Sequence, residues 1–185
     1  MEGFERFPGG AAIRLGQAEA SILRGLADQL LELLATRGEP VDDPFAAIFE
    51  PGPSEPPADP VLARLFPDAY DAESDDAGER SAEFRRFTEN DLRTRKRDDA
   101  KSLIADLDAL GPGGGILSLD EEDCRRWLGA LNDLRLALAT RLGIATEADA
   151  EALYDLPEDD DRVPAVIVYS WLNLLQDSLV DAVMP

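Results

Sequence analysis

The side chains of this sequence that could do chemistry are one cysteine, one run of basic residues and a large excess of carboxylates. The chain has 185 residues, with 39 acidic and 18 basic side chains and no histidine. The absence of histidine excludes Ser-His and Cys-His nucleophiles and every imidazole metal site. Acid–base catalysis by carboxylates alone would need a pair such as Asp120 and Glu122 in one pocket, and nothing in the sequence places them there. We therefore expect no enzyme, no cofactor and no metal site.

Cys124 is the only cysteine, so it has no partner for an intramolecular disulfide. Its position near a predicted helix start, followed by two arginines, favours a reactive thiolate, whereas the acids at 121–123 oppose one. The helical spacing to Leu128 and Leu131 indicates a thiol packed in the core. Both interpretations stay open at this stage: a structural core thiol, or a redox-active one.

A short basic run consists of Arg93, Arg95, Lys96 and Arg97, and we take it as a candidate partner-binding surface. Residues 80–101 hold eight basic and five acidic side chains, in a chain whose formal net charge is −21. The alternative is a solvated helix face whose cations pair with the surplus carboxylates. Because the overall field repels phosphate, we expect weak or no direct nucleic-acid binding, no membrane binding, and an acidic protein surface as the partner.

Two further runs resemble binding loops only in composition. Asp155 and the acids at 158–161 lack the alternating ligand spacing and the turn glycine of a calcium loop, so a solvated acidic loop is the better interpretation. The glycines at 113–115 are not followed by the Gly-Lys-Ser/Thr of a phosphate-binding loop, and we interpret them as a flexible hinge.

The pattern of apolar residues predicts a mainly α fold with a small two- or three-stranded sheet. Strands at 4–7 and 12–15 flank a Pro-Gly-Gly turn, and a further short strand is expected at 116–119. Helices are expected at 17–37, 61–66, 79–110, 120–142, 146–154 and 164–183, with Asp120 and Thr146 as N-caps. The middle of the longest helix, 93–101, is polar all round, which predicts that it projects from the core or is covered by a partner.

The segments between these elements complete one predicted domain over residues 1–185. Residues 38–60 contain seven prolines and are expected to form a loop, with one short turn at 43–49. Residues 67–78 are expected to form a mobile acidic loop. No secretory signal is visible, and the apolar stretch 163–175 is too short to span a bilayer, so we expect a cytoplasmic protein.

Two segments of the chain repeat one another at a spacing of 104 residues. Residues 12–37 align without gaps onto 116–141 with seven identities in 26 positions, including Leu15 with Leu119 and Gly25 with Gly129. Two leucine-rich amphipathic helices can match in this way by chance. The other interpretation is a pseudo-symmetric pair of strand–helix units whose strands are neighbours in one sheet, which would give the N-terminal hairpin a third strand.

The last helix also predicts self-association. Trp171, Leu172, Leu174 and Leu175 give it more apolar width than a small domain readily covers, and the longest helix has a free face. We therefore predict a homodimer through one of these two helices.

Five segments carry a resemblance to a known family, and together they span nearly the whole chain: FERFPGGAAIRLGQAEASILRGLADQLLELL, DPVLARLFPDAY, AEFRRFTENDLRTRKRDDAKSL, ILSLDEEDCRRWLGALNDLRLALATRLGI and VYSWLNLLQDSLVDAV. In these segments the sequence resembles the actinobacterial AosR-like family, which includes an oxidative-stress transcriptional regulator. The resemblance implies a helical, non-enzymatic transcriptional regulator that acts through a protein partner of the sigma-factor or RNA-polymerase type. The alternative is a helical structural or adaptor module without a redox role.

The resemblance also implies a redox switch made by a disulfide between two cysteines separated by five residues. In this sequence the positions at that spacing from Cys124 are Ser118 and Ala130. The switch is therefore not transferred to this chain, while the helical scaffold and the protein-partner mode are.

Overall fold

A computed structural model describes residues 2–35, 52–70 and 76–184. Within these ranges the chain is mainly α-helical, with six helices and one small antiparallel sheet of three strands, which confirms the predicted fold class. The elements in chain order are β1 (Glu5–Phe7), β2 (Gly10–Gly16), α1 (Gln17–Ala35), α2 (Pro60–Leu65), α3 (Ala77–Ala109), β3 (Gly114–Asp120), α4 (Glu121–Leu142), α5 (Glu147–Tyr154) and α6 (Val163–Val183).

The sheet has the order β1-β2-β3, so the predicted hairpin gains β3 as its third strand. Side chains alternate along β2: Ala11, Ile13 and Leu15 are buried, while Arg14 is exposed. Such alternation is typical of a sheet with one face on the core and the other toward solvent. The turn between β1 and β2 uses Gly9 at φ 92°, a left-handed conformation that glycine adopts without steric cost.

The two strand–helix units are related by a pseudo-two-fold axis. β2 and β3 have matching bounds at the spacing of 104, and α1 and α4 both begin immediately after them. In the antiparallel register Ile13 pairs with Leu117, which is its own counterpart at that spacing. The axis therefore passes through this buried pair. The interpretation of the internal repeat as two strand–helix units with neighbouring strands is confirmed.

Close backbone contacts obey the same symmetry. A Cβ on Gly10 would lie 1.9 Å from the carbonyl oxygen of Leu119, and a Cβ on Gly114 would lie 2.3 Å from that of Leu15. Both positions need glycine, because any larger side chain would meet the backbone of the neighbouring strand. The helices match in burial as well: Leu23 and its counterpart Trp127 are both fully buried.

The core forms around α4. The ring of Trp127 meets Phe4 edge to face at 5.8 Å between centroids, and α6 contributes Leu172, Leu175 and Leu179 with no exposed surface. β1 is attached to the C-terminal part of α6: the backbone N–H of Phe4 donates to the Ser178 hydroxyl at 3.0 Å. The first strand and the last helix therefore close the fold together.

The predicted helix starts are confirmed at two caps. The carboxylate of Asp120 accepts the backbone N–H groups of Glu122 and Asp123 at 2.8 and 2.9 Å. Thr146 and Asp149 form a reciprocal capping box at the start of α5.

The prediction for the middle of the longest helix is wrong. α3 does not project from the core, and its covering comes from the same chain, because it packs along both α1 and α4. Its buried residues include the polar side chains of Ser81, Arg85, Glu89 and Arg93, whereas Phe84 and Phe87 are exposed. Residues at i and i+4 share a helix face, so this polar series selects the buried side and turns the phenylalanines outward.

Two predicted loops lie partly outside the described residues. The proline-rich loop at 38–60 is described from residue 52 onward, and the predicted turn at 43–49 lies outside the described residues. In the acidic segment, residues 71–75 are outside the description, and α3 begins at Ala77, so the predicted loop 67–78 ends earlier than expected.

The last helix is longer than its uninterrupted apolar stretch. By length and composition alone α6 could cross a membrane, so the prediction that its apolar stretch is too short for a bilayer is wrong. Leu172, Leu175 and Leu179 of this helix are buried within the chain, whereas only 28% of its most apolar 18-residue window is buried.

The two equivalent helix glycines lead to opposite predictions for alanine substitution. Gly25→Ala should raise the free energy of unfolding by about 1 kcal/mol, because alanine favours helix and no atom lies within 4 Å of the added Cβ. Gly129→Ala should give no such gain, since its Cβ would lie 2.5 Å from the carboxylate of Asp99. Urea unfolding of both variants measures the difference, and an equal gain in both would contradict the packing at Gly129.

Candidate functional site

The four basic residues predicted to form one surface do not share one environment. Arg93 is buried and Lys96 is nearly so, with 12% of its side chain exposed, while Arg95 and Arg97 face solvent. Arg93 and Lys96 are used inside the protein to join helices. Only Arg95 and Arg97 remain available as a candidate partner-binding surface.

Arg93 belongs to a buried ionic ladder with Arg85 and Glu89 on one face of α3. Glu89 accepts from Arg85 at 2.9 Å and from Arg93 at 3.0 Å, through its two carboxylate oxygens. All three side chains are at most 9% exposed. A carboxylate between two guanidinium groups compensates charge that would otherwise be costly to bury.

The ladder connects α3 to three other parts of the chain. Arg85 donates to the carbonyl oxygen of Phe66 at 3.0 Å and to the Asp68 carboxylate at 2.7 Å. Arg93 donates to the carbonyl oxygen of Leu34 at 3.1 Å, and its guanidinium lies 4.4 Å from the centre of the Phe66 ring. The ends of α1 and α2 are thereby held on α3 by hydrogen bonds and a cation–π contact.

A second buried charge cluster joins α3 to α4. Lys96 donates to Asp133 at 2.6 Å, and Asp133 is 2% exposed. Burial raises the pKa of Asp133 above its ordinary value, and Lys96 opposes that shift. Burial and the Asp133 charge raise the pKa of Asp99 in the same way. Two carboxylates and one ammonium therefore share one interface, in which the negative charge is only partly compensated.

Cys124 is 1% exposed, in keeping with the core-thiol interpretation. Its Sγ lies 3.7 Å from the carbonyl oxygen of Leu119, at the bottom of a groove of about 470 Å³ between the β1–β2 hairpin, α4 and α6. Burial raises the pKa of the thiol; the backbone N–H of Ala11 opposes this shift, and the acids at 120, 121 and 123 reinforce it. A thiol that is buried and held neutral is a poor nucleophile.

The other acidic and glycine-rich candidates are structural. Asp120 is occupied as the cap of α4, and hydrogen bonds from the backbone of Asp123 and Glu122 lower its pKa. Hydrogen bonds from Arg162 lower the pKa of Asp160 to about 2. Within the described part of the chain, no group of three or more Cys, Asp or Glu side chains could hold a metal ion.

The hinge interpretation of the glycines at 113–115 is wrong. Gly114 and Gly115 are the first residues of β3 and pair with β2. Gly114 has φ 71° and lies against the backbone of Leu15, so this glycine serves strand pairing rather than motion.

The residues proposed for self-association are mostly internal. Trp171, Leu172 and Leu175 are buried in the chain's own core, and Leu174 is 44% exposed. The surface predicted for a homodimer on α6 is therefore reduced to Leu174 and its exposed neighbour Ile167, and self-association stays a prediction.

This geometry defines a mainly helical protein whose buried charged side chains join its helices to one another. The chain belongs to the family described as "Domain of unknown function (DUF2017)", which matches residues 1–183. It is 35% identical over 182 residues to the oxidative stress regulator AosR of Mycobacterium tuberculosis (strain ATCC 25618 / H37Rv), an alignment that covers 92% of this chain and 80% of the relative.

The oxidative stress regulator AosR of Mycobacterium bovis gives the same identity and coverage. A relative from Mycobacterium leprae, named "Putative oxidative stress regulator AosR", is 33% identical over 178 residues, covering 90% of this chain and 79% of its own length. No solved structure matches this chain. The predicted membership of the AosR-like family is confirmed, and the named relatives are regulators.

Removing the cation of the second cluster should destabilise the protein in a pH-dependent way. Lys96→Met should lower the free energy of unfolding by about 3 kcal/mol at pH 7, because Asp133 is left buried and charged. The pKa of Asp133 is already raised, so the folded state takes up a proton as the pH falls toward that pKa. The deficit should therefore shrink on acidification. This recovery of stability on acidification should be smaller in Lys96→Met/Asp133→Asn, which lacks the Asp133 carboxylate; urea unfolding of both variants from pH 7 to pH 4 measures it.

Cys124 should label slowly with a thiol reagent in the native protein and rapidly in denaturant, because the native thiol is buried and its pKa is raised. Cys124→Ser should cost about 1 kcal/mol or more of stability by burying a hydroxyl. Mass spectrometry of timed labelling measures the two rates. Native labelling as fast as that of the denatured chain would restore the redox-sensor interpretation.

Proposed function

We propose that this protein is a non-enzymatic transcriptional regulator that acts in the cytoplasm through a protein partner, of the sigma-factor or RNA-polymerase type. The observation that carries the proposal is the 35% identity to proteins named oxidative stress regulators over 92% of this chain. The match to the family model over residues 1–183 covers all the described secondary structure elements rather than one shared motif. The regulator role comes from the relatives' names, and the sigma-factor or RNA-polymerase class of partner is added by this proposal.

The charged groups support a binding role rather than catalysis. The carboxylates and cations with perturbed pKa values act as caps, surface ion pairs or buried interhelical contacts. Perturbed groups at an active site would instead converge on a pocket. With a net charge of −21, direct DNA binding should be weak and salt-sensitive, so contact with transcription is made through a protein.

The oxidant dependence that the relatives' names suggest cannot arise in this chain from an intramolecular disulfide. A disulfide requires two cysteines whose Cα atoms lie within about 7 Å of each other, and this chain has one cysteine. We therefore propose that partner binding does not depend on the oxidation state of Cys124. Binding that requires peroxide would favour the redox role, and a protein that binds no transcription component would favour the adaptor alternative.

The test is direct binding of the purified chain to separately purified sigma factors and RNA-polymerase subunits, measured by biolayer interferometry with and without peroxide. We expect one of these proteins to bind, equally in both conditions. If none binds, the proposed function is wrong.

The two exposed cations of the basic run provide a matched mutational test. Arg95→Ala/Arg97→Ala should weaken partner binding by about tenfold, because both side chains face solvent. The charge of Arg95 also lowers the pKa of Asp99 and Asp133, so the free energy of unfolding is measured alongside binding. Arg86→Ala is the control, since Arg86 is an exposed arginine on the same helix outside the run. Equal loss in Arg86→Ala and in the single variants Arg95→Ala and Arg97→Ala would indicate a general charge effect and remove the basic run from the binding surface.

A further inference from the structure

An open groove of about 390 Å³ lies between α1 and α6, with α4 as its floor. Its walls are mostly apolar and include Ile22, Gly25 and Leu26 of α1, Leu138 of α4, and Pro164 and Val168 of α6. Ile22 is 41% exposed, and the next outward residue on α6, Ile167, is 54% exposed. Apolar side chains are thus presented to solvent on both sides of the groove.

The internal symmetry relates this groove to a face of α4 that another helix already covers. At the spacing of 104, the groove face of α1 corresponds to the face of α4 that carries Gly129 and Asp133. That face of α4 is covered by a helix: Asp133 pairs with Lys96 of α3, and Asp99 of α3 lies where a Cβ on Gly129 would be 2.5 Å away. The face of α4 therefore shows that this arrangement receives a helix at close approach.

Among the described residues, nothing covers the equivalent face of α1. A Cβ on Gly25 would have no atom within 4 Å. A glycine in a helix interior lowers helix stability by about 1 kcal/mol relative to alanine. Gly129 allows Asp99 of α3 to approach α4 closely, whereas no described residue approaches Gly25 in this way.

The position of α6 explains why the second half leaves this face open. In the described residues, each strand–helix unit is followed by one short and one long helix: α2 and α3 in the first, α5 and α6 in the second. α3 has 33 residues and packs on both α1 and α4. α6 has 21 residues and packs on α4 and the hairpin, so it does not close over α1.

Charges around the groove favour a basic ligand. The loop leading into Pro164 carries exposed acids at 158, 159 and 161, and Glu32 is exposed one turn beyond Gln29 on α1. The arginines nearby are engaged: Arg24 pairs with Asp28 and Asp108, and Arg162 pairs with Asp160. Arg141 donates to Gln29.

We propose that the α1–α6 groove is a docking site for one amphipathic helix of a protein partner, with its apolar face in the groove and basic residues along its flanks. The groove is a contact surface separate from Arg95 and Arg97 of the basic run, and only the identity of the partner rests on the proposed function. The close approach at Gly25 reproduces, between two chains, the contact that α3 makes with Gly129 inside one.

The test uses a designed 18-residue Leu/Lys amphipathic helix as the probe and a Leu/Glu helix with the same apolar face as its control. Binding to the full chain is followed through backbone amide shifts by NMR at physiological salt. We expect the Leu/Lys helix to bind, with shifts concentrated at 21–29 and 164–168, and the Leu/Glu helix to bind at least tenfold more weakly.

Substitution separates docking from general attraction to an acidic protein. Gly25→Trp fills the groove and should weaken the Leu/Lys helix at least tenfold. Gly78→Trp, at another helix glycine with no atom within 4 Å of its Cβ, should leave binding unchanged. If Gly25→Trp perturbs the fold by circular dichroism, Ile22→Asp serves in its place, because Ile22 is partly exposed.

Three results would overturn the proposal: shifts centred outside the groove, equal weakening by both tryptophan variants, or groove shifts that rise with protein concentration alone, which would identify a second copy as the occupant. The separate binding test with sigma factors and polymerase subunits distinguishes the two proposals. If none of those proteins binds but the probe maps to the groove, the proposed function fails and the docking site stands.

Discussion

The antiparallel pairing of β2 with β3 is the interaction on which the rest of this structure depends. It joins residues about 104 positions apart around the buried pair Ile13 and Leu117. Because a helix starts directly at the end of each strand, the register of the strands also fixes where α1 and α4 begin relative to one another. A slip of β3 by one residue against β2 would turn Leu119 from the core face to the solvent face.

Two glycines allow β2 and β3 to approach each other closely in this register. Gly10 and Gly114 meet the backbone of the opposite strand at symmetric positions, so larger residues at either site would push the strands apart. A local requirement at two positions thus determines how two leucine-rich helices meet. The hairpin is then completed by the last helix, through the Phe4–Ser178 hydrogen bond, which makes the fold depend on both ends of the chain.

Most of the fold was predictable from the sequence because its elements are long and periodic. The hairpin, α1, α4 and the capping residues Asp120 and Thr146 follow from apolar spacing and turn chemistry. The burial of α3 was not predictable from apolar periodicity, because the side that packs inward carries charge. The signal was present as the spacing of Arg85, Glu89 and Arg93 at i, i+4 and i+8, which is compatible equally with an exposed salt-bridged helix.

The candidate site was predicted less well for the same physical reason. Nothing in the basic run distinguishes Arg93 from Arg95 by residue type, yet two positions along a helix turn a side chain to the opposite side. The partners of Arg93 and Lys96, which include the carbonyl of Leu34 and the carboxylate of Asp133, come from other helices. The environment of each cation is therefore a property of tertiary packing.

The asymmetry between the two halves follows from these buried charges. α3 is long enough to carry the ionic ladder against α1 and α2 and, further along, the Lys96–Asp133 pair against α4. α6 carries an apolar face in place of these groups, and Trp171, Leu172 and Leu175 direct it into the core beside α4. Apolar burial holds α6 close to the centre, whereas long arginine and lysine side chains allow α3 to reach two helices at once. A symmetric pair of strand–helix units thereby acquires one covered and one open helix face.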